Sequence, residues 1–102
     1  MADGIDMERQ DLVTAGRILA AEGVIDSFGH VTLRHPARPD RFLMSRVRAA
    51  ELVETDDILE FGLDGAPSQP TGQRVFAERI IHAALVRPHH LFGAAVGGRR
   101  GR

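Results

Sequence analysis

The chain has 102 residues, 13 of them Arg and 14 acidic, with no Lys, Cys, Trp or Tyr and a formal net charge of −1. That length bounds it at one small domain or part of a larger one, and an apolar fraction of 43% is too high for a fully disordered chain. Zero Cys excludes a disulfide scaffold, a thiolate metal site and a Cys nucleophile, no apolar run approaches the ~20 residues of a membrane span, and the start MADGIDMERQ lacks the pattern of a secretory signal, so a cytoplasmic protein is expected.

The near-neutral total hides a split. Residues 1–78 carry 8 Arg and all 14 acids, a balance of −6, while residues 79–102 carry 5 Arg and no acid, a balance of +5. The acid-free end, GGRRGR, reads as a terminus without a role of its own.

In chain order, the first element predicted is a helix over Met7 to Glu22. Leu12, Ala15, Gly16, Leu19 and Ala20 repeat on one face of a 3.6-residue period. Asp6 is its candidate N-cap and Gly23 its left-handed stop. Gly16 and the alanines leave that face thin, so a neighbour can approach closely. After the loop 24–29, His30 to Arg34 alternates as a half-buried strand. Pro36 and Pro39 flank a turn, and Arg41 to Ser45 is a second strand, close enough to pair with the first as a hairpin.

Ser45-Arg46-Val47-Arg48 is a basic connection, followed by one helical turn within Ala49 to Val53. A third strand is predicted over Asp57 to Phe61, then a turn at Gly62 to Gly65 and a Pro/Gly loop to Gly72. A second helix is predicted from Gln73 to Val86, with Thr71 as its cap and Pro88 as its end. A weak strand signal follows over His89 to Val96, diluted by Gly93. Strands between amphipathic helices imply an α/β layered domain with a small sheet.

Chemistry-bearing residues are few. None of the five His has a partner at a zinc-site spacing, and His89 and His90, adjacent in a strand, would point to opposite faces. Glu78 and His82 lie four apart on one helical face, where a carboxylate can orient an imidazole. Two segments suit anions: Gly29 with His30 at the start of a strand, where backbone amides can approach a ligand, and Ser45 with Arg46, which offer a hydroxyl and a guanidinium fork. No P-loop, dinucleotide fingerprint or nucleophile motif is present. Without a sizeable basic patch or stacking aromatics, no nucleic-acid partner is expected.

Four segments together resemble a known family. The helix from Asp11 to Gly23, DSFGHVTLRHP (26–36), RFLMSRVRAAELVETDDILEFGLDG (41–65) and GQRVFAERIIHAAL (72–85) resemble, in order and spacing, the N-terminal part of class II aldolase/adducin-type proteins. Their wording is nearer to the hydroxy-carboxymuconic semialdehyde decarboxylase branch than to the sugar-phosphate aldolases. The resemblance implies a three-layer α/β/α fold, N-terminal part only, with a largely antiparallel sheet. It also implies a divalent metal, zinc above all, and a homotetramer acting on a small carboxylate or phosphate substrate.

The implied reaction is aldol cleavage or decarboxylation of a small oxo- or hydroxy-acid through a metal-stabilised enolate. By position, Glu78 would be the acid/base, and Gly29, His30, Ser45 and Arg46 would bind substrate. Sugar-phosphate aldolases usually carry Asn where His30 stands, which points away from a sugar phosphate. The match runs over residues 7–88. From 89 to 102 a divergent, disordered or aberrant tail is expected, because the family's His-x-His metal pair is not found after Arg87-Pro88. The metal ligands therefore remain unknown, and the chain is expected to be a lyase fragment inactive by itself, or else a non-catalytic binding module like adducin heads.

Overall fold

The computed structural model of the chain describes residues 5–25, 29–69, 71–76, 79, 82 and 94–97. Helix α1 spans Asp6–Ala21 and buries Leu12, Val13 and Gly16. Its start departs from expectation: Ile5, not Asp6, holds the cap position, with no side-chain cap hydrogen bond. Ile5 is fully buried, so the apolar side chain fixes the entry of the helix where a polar cap was predicted. The far end follows the sequence. Gly23 has φ 71, its N–H donates to the Ala20 carbonyl at 3.1 Å, and that of Val24 donates to Leu19 at 2.8 Å. These two bonds are a Schellman stop, which needs the left-handed residue that Gly supplies.

Among the described residues four strands form one sheet: β1 His30–Arg34, β2 Arg41–Ser45, β3 Ile58–Gly62 and β4 Ala94–Gly97. The spatial order is β3-β2-β1-β4, and every neighbouring pair is antiparallel. β1 and β2 pair as the predicted hairpin, with Leu33 opposite Leu43. β4 runs along β1 from His30↔Gly97 to Leu33↔Ala94, overlapping the weak strand signal over His89 to Val96 and ending one residue beyond it.

Alternation along the strands gives the sheet two faces. Leu43 and Ile58 face α1 and pack with Ile5, Leu12, Val13 and Val53. The thin face of α1 is used as predicted, since a Cβ added at Gly16 would stand 3.7 Å from the Ala50 methyl of the 3₁₀ turn Ala50–Leu52. The opposite face carries Phe42, Met44 and Phe61, covered by Phe76. Phe42 and Phe61 stack with centroids 5.4 Å apart.

The second predicted helix begins later than expected. Gln73 to Phe76 are not helical, while Arg79 and His82 are. The Val47 N–H donates to the Arg74 carbonyl at 2.9 Å, and Phe76 is drawn into the second core, so the chain is not helical there. The Thr71 hydroxyl accepts from the Gln73 N–H at 3.1 Å, a local turn rather than a helix cap. β3 also starts one residue late, because Asp57 is engaged in the 3₁₀ turn Thr55–Asp57 before it.

Candidate functional site

β1 begins at His30 and β2 ends at Ser45, and antiparallel pairing brings these two ends to the same side of the sheet. Gly29, His30 and Ser45 accordingly line one small void beneath α1, about 20 Å³, room for a single water. Gly29 is required there by space. A Cβ on it would lie 2.4 Å from the Ile25 Cβ. The side chains nevertheless diverge. Ser45 shares the α1 face with Leu43, whereas His30 turns to the opposite face and lies against Phe76, ring centroids 4.6 Å apart.

His30 sits in a buried cluster. The His82 ring meets it edge-on at 4.6 Å between centroids, and His82 Nδ1 is 2.9 Å from the Thr32 hydroxyl oxygen. His30, Thr32 and His82 are all buried. The sequence put His82 beside Glu78 on a helix, but nothing local indicated that it would reach His30 and Thr32 across the sheet. Glu78, the predicted acid/base, lies outside the described residues, as do Ser27, Phe28, His89 and His90.

Arg46 is not a free anion receptor. Its Nε donates to Asp57 Oδ1 at 2.6 Å, and Arg48 Nη1 donates to Asp57 Oδ2 at 2.9 Å. Asp57 Oδ2 also accepts the Glu54 N–H at 2.9 Å, half of a reciprocal capping box. Burial pushes the Asp57 carboxyl up, but the Glu54 N–H and the Arg46 and Arg48 guanidiniums outweigh it and hold it below the usual carboxylate range. Sequence reading missed this hub. The spacing Glu54-Thr55-Asp56-Asp57, an acid at each end of one tight turn, was the available signal.

Two guanidiniums share one carboxylate, and both remain about a third exposed. That arrangement can orient a carboxylate or phosphate at the sheet end through the donors not given to Asp57. A metal is a different matter. Among the described residues no three His, Asp or Glu side chains converge closely enough to hold an ion. The described donor set does not fit a divalent metal. No described helix is long and apolar enough to cross a membrane.

No protein-family model matches the chain. It is 32% identical over 79 residues to the decarboxylase tropJ of Talaromyces stipitatus, covering 76% of this chain and 30% of that protein. Among solved structures it is similar to L-fuculose 1-phosphate aldolase from Glaciozyma antarctica, with TM-score 0.81 and 24% identity over 94% of this chain and 41% of the other. An aldolase II superfamily protein from Pseudomonas syringae superposes with TM-score 0.80 and 22% identity over 92% of this chain and 39% of its own. The chain thus spans less than half the length of each of these proteins. Over the span compared, its fold is that of the class II aldolases, as the sequence motifs implied.

Proposed function

We propose that this chain supplies the substrate-binding end of a carbon–carbon lyase site that cleaves or decarboxylates a small oxo- or hydroxy-acid. The observation that supports it is that antiparallel pairing brings the start of β1, with Gly29 and His30, and the end of β2, with Ser45 and then Arg46, to one end of the sheet. The likeness to a decarboxylase over 76% of the chain favours decarboxylation over sugar-phosphate cleavage. In this reading Arg46, held in place by Asp57, grips the substrate carboxylate, and the Gly29 backbone gives close access. His82, hydrogen-bonded to Thr32, fixes the setting of the His30 ring. Glu78 moves the proton.

A cytoplasmic homo-oligomer is part of the same reading. A second reading, a non-catalytic binding module, is favoured by the commitment of both Arg46 and Arg48 to Asp57, which uses in folding the charge that a substrate anion would need.

Amide NMR of the full chain titrated with glycolate tests the binding end. Saturable shifts at Gly29 and Ser45, weakened about tenfold by Arg46→Gln, are expected; shifts absent from both positions overturn the assignment. Zinc calorimetry separates the two readings. Stoichiometric binding abolished by Glu78→Ala supports the lyase, and no binding supports the module.

A further inference from the structure

A second polar cavity lies away from these residues, and it goes beyond the lyase reading. It occupies about 520 Å³, within the size range of small-ligand sites, and opens on the α1 side of the sheet by the β1–β2 turn. β1 and β2 are antiparallel, so this turn is at the opposite end of the hairpin from His30 and Ser45. Its charged walls are Arg9 from the first turns of α1, Arg38 and Arg41 from the hairpin, and Glu60 from β3.

The lining is dominated by donors. His35 Nδ1 accepts the backbone N–H groups of Ala37 and Arg38, both at 3.1 Å, which leaves the ring proton on Nε2. That nitrogen stands 3.8 Å from Glu60 Oε1. Among the described residues Glu60 is the only carboxylate in the lining, and its Oε2 accepts from Arg41 at 2.5 Å and lies 3.5 Å from Arg38. Thr71 spends its oxygen on the Gln73 N–H, leaving its hydroxyl proton to donate, and Ser68 offers another hydroxyl.

Two acids stand just outside. Asp6 is 3.6 Å from Arg9 with an exposed side chain, and Asp40 acts on Arg41. Neither lines the cavity. Arg38 overhangs it with a side chain 57% exposed and only its long contact to Glu60. A lining rich in donors, whose carboxylate is paired with Arg41 and lies near Arg38 and His35, suits a ligand rich in acceptors.

We propose that this cavity is a binding site for a small oxyanion, a phosphate or a compact dicarboxylate, separate from the candidate lyase residues. Arg38 is its principal adjustable contact, Arg41 is held by Glu60 as a fixed wall, and the His35 Nε2–H completes the rim.

Amide NMR on the full chain, titrated separately with inorganic phosphate and malonate against chloride at equal ionic strength, tests the site. Saturable shifts at Ala37, Arg38, Ser68 and Thr71 are expected, with the tighter of the two ligands naming the source. Arg38→Gln should weaken binding about tenfold, and Arg46→Gln should leave it unchanged. Gln69→Glu, which removes no observed contact and adds a carboxylate to the lining, should weaken it similarly. Shifts that follow only chloride, or binding lost in Arg46→Gln and kept in both Arg38→Gln and Gln69→Glu, overturn the proposal. The second of those outcomes leaves the lyase-end reading standing. Loss of the Gly29 and Ser45 shifts alone would overturn the lyase-end reading and leave this one.

Discussion

Asp57 carries more structure than any other charged residue described. One buried carboxylate closes a capping box, anchors Arg46 and anchors Arg48. Asp57→Ala removes all three contacts. Because both guanidiniums are about a third exposed, solvent screens part of the loss, and a destabilisation of about 1–3 kcal/mol is expected in urea unfolding. At Gly29 the constraint is steric. Gly29→Ala drives a methyl into the Ile25 Cβ, 2.4 Å away, and should cost about 1–3 kcal/mol by forcing the loop away from α1.

The pH dependence follows from two carboxyls. Asp57 is held low as described. For Glu60, burial raises the carboxyl, but the hydrogen bond from Arg41 and the nearby guanidinium charge hold it below the usual range. A carboxyl whose folded pKa is depressed stabilises the fold above its unfolded value, about 4, and that contribution disappears as pH falls through the lower folded value. The contribution of these two carboxyls should therefore be complete above about pH 5 and be lost in more acid solution. Unfolding measured at stepped pH should show a shallower acid slope in Asp57→Asn and in Glu60→Gln. Slopes equal to the parent's in both variants would show that these pairs do not set it.

At the scale of elements, the two faces of the sheet depend on different cores. Phe61 is fully buried and stacks on Phe42, so Phe61→Ala should destabilise by about 3–5 kcal/mol. The same core holds Phe76, which packs on His30. Calorimetric melting of Phe61→Ala should thus show a lowered midpoint, and its NMR spectrum should show altered His30 and Thr32 signals. Unchanged signals there would mean that the two cores are independent.

The elements legible in the sequence were those whose pattern is local. β1 and β2 lie where alternation put them, and α1 ends where Gly23 permits a left-handed turn. The errors have two sources. Ile5 replaces Asp6 at the helix start, Asp57 joins a turn rather than β3, and Gln73 to Phe76 are not helical. At Ile5 and at Gln73 to Phe76 a contact with residues distant in sequence outweighs a weak local preference of ~1 kcal/mol or less, whereas at Asp57 the competing structure is a local capping box.

For the whole molecule, the sheet has α1 on one face and Phe76, Arg79 and His82 on the other. Arg79 ties that second layer down, its Nε donating to the Gly65 carbonyl at 2.7 Å. This is the layering that the family motifs implied, and it is shared with aldolases of which the chain spans less than half.

The sequence by itself determined the class of fold, the β1–β2 hairpin and the C-terminal stop of α1, because periodicity, a glycine stop and four ordered motifs are properties of the chain read in line. Only the tertiary structure decided how the residues of those motifs are used. It sent the His30 and Ser45 side chains to opposite faces of the sheet, set His82 against His30 and Thr32, and gave Arg46 and Arg48 to Asp57. It also gathered Arg9, Arg38, Arg41 and Glu60 around one cavity. The physical reason is the same throughout: charge pairing and burial depend on distances in space, and those between strands and helices are fixed only when both faces of the sheet are covered.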